Sequence, residues 1–216
     1  MRMSNNEYFE LLRPEIFNLV PPNTKFLLDL GCGFGALGAK VKSEYGSYCY
    51  GIESNSAAES KLTRNLYKHW IANVEDFDFN VIDVEFDCIV LADVLEHLID
   101  PWVLLGRVKE LLAKDGVIIV SMPNIRNLNV IASLILKGRW EYRDSGILDR
   151  THLRFFTKYE MESMFIASGF EIVNANSNKD FYSLPRKILS FLPNLLIPDL
   201  KVSQFIFTVR KVNLVK

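Results

Sequence analysis

Leu28-Asp29-Leu30-Gly31-Cys32-Gly33-Phe34-Gly35-Ala36-Leu37-Gly38 places four glycines and one aspartate in a segment that otherwise reads as a strand running into a helix. Glycine loses more backbone freedom on folding than any other residue, so a turn built from it answers a need. Gly31, Gly33 and Gly35 stand in G-x-G-x-G spacing directly after the apolar strand expected at Lys25 to Leu30. That spacing permits a tight turn and the close approach of a ligand. The helix expected from Ala36 to Tyr45 then presents its unpaired N–H groups to the same place. On the glycines alone, an ordinary tight turn remains the alternative.

Moving outward, a second strand from Ser47 to Ile52 ends at Glu53. An acid at that point can accept hydrogen bonds from both hydroxyls of a ribose; the bland alternative is a solvated carboxylate leading the next helix. A dinucleotide site would show G-x-G-x-x-G and a pyrophosphate on the helix N-terminus. Here the third glycine comes one residue early. Asp29, inside the strand, would repel a pyrophosphate and suit a cation or an amino group. The pattern therefore favours a positively charged adenosine derivative over a nicotinamide dinucleotide.

The remaining elements follow at regular intervals. A helix is expected at Glu7 to Leu19, interrupted near Pro14, and another at Ser56 to Leu66, with Ser54, Asn55 or Ser56 as its cap. Strands are expected at His69 to Ala72, Phe86 to Leu91 and Gly116 to Met122, and helices at Pro101 to Leu112, Asn127 to Leu136 and Lys158 to Ala167. Such alternation predicts a mostly parallel sheet covered on both faces. The closing strands, FEIVNA from Phe170 and QFIFTV from Gln204, are expected to pair antiparallel across a proline-containing excursion over 177–203. A single domain over 1–216 is expected, with an N-terminal helical segment 1–24 and a variable acceptor-side segment 124–157.

Composition narrows the classes. Apolar residues make up 49% of the 216, enough for a sizeable core, and the formal net charge is −1 from 25 basic and 26 acidic residues. No overall field draws the chain to nucleic acid. The three cysteines, Cys32, Cys49 and Cys88, lack zinc-type spacing and suggest no disulfide framework. With an opening MRMSNNEYFELL that lacks a signal-peptide core, a cytoplasmic setting is expected. No apolar run approaches the roughly 18 residues of a membrane-crossing helix.

Taken as a set, these motifs resemble the class I S-adenosylmethionine-dependent methyltransferases. LDLGCGFG at 28–35 resembles the glycine-rich first motif, YGIES at 50–54 the ribose-binding strand end, and VEDFDF at 74–79 the loop near adenine. FDCIVLADVLEHLIDP at 86–101 and GVIIVSMPN at 116–124 resemble the fourth and fifth motifs. GRWEYRDSGILDRTHLRFFT at 138–157 is similar to a branch that includes ubiquinone-type O-methyltransferases and small-molecule methyltransferases of bacterial surface-polysaccharide clusters.

The resemblance implies a Rossmann-like, seven-stranded sheet, mostly parallel with an antiparallel C-terminal strand. It implies S-adenosyl-L-methionine as cofactor. Asp29, Gly31, Gly33 and Gly35 would border the methionine part and ribose, Glu53 and Ser54 the ribose and adenine, Asp76 and Phe77 the adenine, and Ala92 and Asp93 the ammonium and sulfonium. His97 and His152 are the candidate catalytic residues, each also open to a purely structural role. Arg126, Arg150 and Arg154 are candidates for reading an anionic acceptor, and Trp140 and Tyr142 for an apolar wall. No metal is expected.

The expected activity is methyl transfer to a small-molecule acceptor at oxygen, of quinone-precursor or sugar and glycan type. The alternatives are an NAD-linked oxidoreductase and a non-catalytic cofactor-binding protein of the same fold. The apolar 181–200 stretch reads as a core lid, an acceptor-pocket wall, a homodimer contact or a weak membrane-surface contact.

Overall fold

A computed structural model describes residues 12–179 and 198–212. Seven strands form one sheet in the order β3-β2-β1-β4-β5-β7-β6. They are β1 (Phe26–Leu30), β2 (Tyr48–Glu53), β3 (Lys68–Ile71), β4 (Phe86–Ala92), β5 (Leu112–Pro123), β6 (Phe170–Lys179) and β7 (Val202–Lys211). The pairs among β1 to β5 are parallel, and β7 runs antiparallel to both β5 and β6. The expected class, a mostly parallel sheet with an antiparallel C-terminal strand, is the one found.

Period-two alternation sorts the central strands onto two cores. Leu28, Leu30, Ile89 and Leu91 point to one face, which also collects Leu104, Leu105 and Val108 of α4 (Pro101–Leu111) and Met161, Met164 and Phe165 of α6 (Lys158–Ala167). Leu27, Cys88 and Val90 point to the other. There they meet Ile16 of α1 (Pro14–Phe17), Leu37 and Val41 of α2 (Ala36–Tyr45) and Leu62 of α3 (Glu59–Asn65). Helices thus cover both faces. Asp29 shares the parity of Leu27, so its carboxylate falls on the second face at the carboxyl end of the strand.

Several boundaries differ from expectation for local reasons. Pro14 opens α1 rather than interrupting a helix, because its missing N–H and fixed φ suit the first helical position. Residues 7–11 of the expected first helix lie outside the described residues. Ser56–Ala58 form a 3₁₀ turn ahead of α3, and Asn55 caps it by accepting the Ala57 N–H at 3.0 Å. Asn127 caps α5 (Leu128–Lys137) rather than beginning it. β5 starts at Leu112 instead of Gly116, since Leu112 pairs with Phe86 ahead of a register shift. The excursion before β7 lies mostly outside the described residues, as does most of the 181–200 stretch. No helix among the described residues is long and apolar enough to cross a membrane.

Candidate functional site

The strand order reverses between β1 and β4, with β2 and β3 on one side and β5, β7 and β6 on the other. In open α/β sheets, ligands bind beyond the carboxyl ends of the strands at such a switch point. A cleft of about 290 Å³ lies there. Asp29, Gly31 and Gly33 line it from the β1 end, Ala92 and Asp93 from the β4 end, and Arg13 and Gln204 from more remote parts of the chain.

The glycine turn has two kinds of neighbour. Gly31, Gly33 and Gly35 all have positive φ, at 67°, 56° and 76°. A Cβ on Gly31 would stand 2.9 Å from Val94 Cγ2, so the loop after β4 occupies that space. Gly35 opens α2 and packs beneath Leu62 and Leu66 instead of reaching the cleft. Part of the glycine requirement is therefore internal packing, and part is the cleft.

Glu53 is buried and holds the turn in place. Its Oε2 accepts the Gly33 N–H at 2.8 Å, and its Oε1 accepts the Asn55 N–H at 2.9 Å and the exposed Ser54 hydroxyl at 3.4 Å. Asp29 lies nearby, 4% exposed. Burial pushes its carboxyl up to about 7, the negative charge of Glu53 adds to the rise, and Arg13 opposes it. A bound cation would favour its ionised form.

Asp93 is the junction of the site. It is the one described non-glycine residue with positive φ, at 58°. Its Oδ2 accepts Arg13 Nη1 at 2.6 Å, and its Oδ1 accepts the Ser121 hydroxyl at 2.9 Å and the Gln204 amide. Arg13 also donates to Gln204 Oε1 at 3.1 Å and to Glu15 at 2.9 Å. Sequence reasoning missed Arg13 and Gln204. They lie 80 and 111 residues from Asp93, and no local motif announces either.

Asp76 and Phe77 are placed elsewhere. They line a second cleft of about 590 Å³ with Arg107 and Glu110. Asp76 is exposed, and Phe77 meets Trp70 and Phe79 edge-on at 5.3 and 5.1 Å. Their loop follows β3, whose exit is tied to β2 by the Ala72 N–H donating to the Glu53 carbonyl at 2.9 Å.

His97 and His152, 55 positions apart in sequence, come together with their rings edge-to-face at 4.8 Å between centroids. Each Nδ1 meets a backbone carbonyl, Thr151 at 3.2 Å for His97 and Ile147 at 3.0 Å for His152. Burial pushes the His152 imidazole below its ordinary pKa, and the neighbouring His97 acts in the same direction. Glu96, unnoticed in the sequence, is buried beside them, and the charge of Asp93 reaches both it and His152. Phe155 meets Trp140 at 5.2 Å and Tyr142 at 6.4 Å, gathering aromatics on the His152 side. Arg154 donates to the Ile99 carbonyl, Arg150 pairs with Asp144 at 2.7 Å, and Arg126 is exposed.

A family profile described as a methyltransferase domain matches residues 5–175. The chain belongs to this family. It is 30% identical over 159 residues to a ubiquinone biosynthesis O-methyltransferase of Psychrobacter arcticus, covering 68% of this chain and 59% of that protein. It is 31% identical over 99 residues to (S)-coclaurine N-methyltransferase of Thalictrum flavum, covering 44% of this chain and 27% of that one. The chain thus spans less than two thirds of the length of these relatives. A S-adenosylmethionine-dependent methyltransferase of Archaeoglobus fulgidus superposes with a TM-score of 0.68 at 15% identity, covering 96% of this chain and 95% of that one. The 1,6-didemethyltoxoflavin-N1-methyltransferase of Burkholderia thailandensis, solved with S-adenosylhomocysteine bound, superposes at 0.59 and 16% identity, covering 95% and 77%. The fold of this methyltransferase-domain chain is that of S-adenosylmethionine-dependent methyltransferases.

Proposed function

We propose that the chain transfers a methyl group from S-adenosylmethionine to a hydroxyl oxygen of a small-molecule acceptor, of quinone-precursor or sugar type. The observation that carries this reading is the charge layout of the switch-point cleft. One guanidinium, Arg13, and three carboxylates, Asp29, Asp93 and Glu15, line the same space. A zwitterionic amino-acid head matches it, with its carboxylate toward Arg13 and its ammonium toward the two aspartates. A pyrophosphate would face these carboxylates, which counts against a nicotinamide dinucleotide.

Glu53 keeps one acceptor site, on Oε2, beyond those used by Gly33, Ser54 and Asn55, and it suits a ribose hydroxyl. Adenine is assigned to the side of Ser54 and the Asp76–Phe77 loop. In the reaction the methyl carbon passes in line from sulfur to oxygen. The C–S bond breaks with its pair left on sulfur, the C–O bond forms, and the hydroxyl proton leaves on the His97–His152 side. The protein aligns the acceptor and handles that proton; the sulfonium supplies the driving force. Oxygen as the acceptor atom is supported by the relatives named O-methyltransferases.

The test is incubation with methyl-labelled S-adenosylmethionine and a panel of phenols, catechols, sugar nucleotides and matched amines. Label on an oxygen of one phenol or sugar, analysed by mass spectrometry, is the expected result. Transfer to the amines alone would overturn the oxygen assignment, and no transfer by protein that binds the cofactor would favour a non-catalytic role.

A further inference from the structure

Glu96 is 1% exposed, and neither of its carboxylate oxygens has a hydrogen-bond partner among the described residues. A buried carboxylate in that state calls for a proton or a cation. Its backbone is well anchored: the Glu96 carbonyl accepts the N–H groups of Leu153 at 2.8 Å and Arg154 at 3.0 Å. This clamps the 151–154 loop, and with it His152, against the turn that carries Glu96 and His97.

The imidazoles are oriented independently of that carboxylate. Each donates from Nδ1 to a backbone carbonyl, Thr151 for His97 and Ile147 for His152, which puts the proton on Nδ1 and the lone pair on Nε2. Metal-binding histidines are oriented by such outer hydrogen bonds. One ligand atom from each of Glu96, His97 and His152 lies within 4.8 Å of the other two. Bonds of about 2.1 Å in a tetrahedral site put ligand atoms about 3.4 Å apart, so closure takes roughly an ångström of side-chain movement.

We propose that Glu96, His97 and His152 bind one divalent transition-metal cation of the zinc class, through a carboxylate oxygen and two imidazole nitrogens, beside the cofactor cleft. Two imidazoles with one carboxylate suit zinc or a neighbouring first-row ion and disfavour magnesium and calcium, which prefer all-oxygen shells. The ion gives the orphaned carboxylate its missing partner. Three protein ligands leave a position open for an acceptor hydroxyl. There the ion acidifies the hydroxyl, its proton passes to solvent, and the oxygen pair attacks the methyl carbon as the C–S pair departs to sulfur. This role for the ion, though not its binding, rests on the methyl-transfer reading.

The test is calorimetric titration of tag-free, chelator-treated full chain with zinc, paralleled by cobalt(II) absorption spectra. One ion per chain is expected, with intense d–d bands of a four- or five-coordinate site. Glu96→Gln and His152→Ala should each weaken binding by at least about tenfold. S-adenosylhomocysteine binding should persist in both variants, showing that they remain folded. Absence of stoichiometric uptake, or weak cobalt bands of a six-coordinate aqua type, would overturn the site in unaltered protein, whatever the variants do. Uptake unchanged in both variants would do the same. Protein that binds S-adenosylhomocysteine but not zinc would lose the metal site alone; zinc uptake without methyl transfer would overturn the role and leave the site.

Discussion

Asp29 sits on the Leu27 face of β1, buried, with Glu53 and Arg13 as its charged neighbours. Its carboxyl is pushed up to about 7, so it stays protonated in the fold at pH values where the unfolded chain has already ionised. Between about pH 4 and 7 the unfolded state binds fewer protons than the folded one, and stability falls as pH rises through that window. Asp29→Asn has no such loss. Relative to the unaltered chain, it should gain on the order of 3 kcal/mol between pH 4 and pH 8 without cofactor, as read from urea unfolding across pH. Equal pH slopes for the two proteins would contradict this. Asp93 gives a second residue-scale test, since it has φ of 58° and accepts from Arg13, Ser121 and Gln204. Asp93→Ala should cost about 2–4 kcal/mol through the groups it leaves unpaired. Asp93→Gly loses the same bonds without the left-handed penalty and should be about 1 kcal/mol more stable than the alanine variant. Glycine no better than alanine in denaturant unfolding would refute the strain argument.

At the scale of elements, the central helices and strands were legible because each carries its own signal. Asp100 and Pro101 mark the start of α4: the Asp100 side chain accepts the Val103 N–H at 3.1 Å, with Pro101 in the first turn. Asp100→Ala should cost about 1 kcal/mol in thermal unfolding. No measurable change would mean the cap is already replaced by solvent. Element ends were less legible where tertiary pairing set them. The polar run Asn174 to Lys179 continues β6 because it pairs with β7 alone, and an edge strand needs no apolar face on its exposed side. Leu112 joins β5 through its pairing with Phe86, a contact no local periodicity reports.

Over the whole molecule, the site is assembled from distant pieces. The glycine turn, Glu53 and the end of β4 were readable as motifs because each is local. Arg13 enters from α1's leading residue, and Gln204 arrives only because β7 pairs antiparallel with β5, which sets it opposite Pro123 near the exit of β4. Glu96 gave no signal in the sequence beyond lying between Leu95 and His97; its burial and missing partners emerge only when the 151–154 loop closes over it. Asp76 and Phe77 were read from a local motif, and their loop lines the second cleft. The charge layout of the first cleft is thus a property of the fold, and it is what the proposed cofactor would read.

The most direct test is calorimetric titration of the full chain with S-adenosylhomocysteine, with NAD in parallel, on the unaltered protein and on Arg13→Ala, Gly33→Val and Glu53→Ala. One saturable site for S-adenosylhomocysteine is predicted, absent for NAD, and weakened at least about tenfold in each variant, a loss of roughly 1.4 kcal/mol or more. Folded protein that binds NAD in preference, or binds S-adenosylhomocysteine with undiminished affinity in all three variants, would contradict the account.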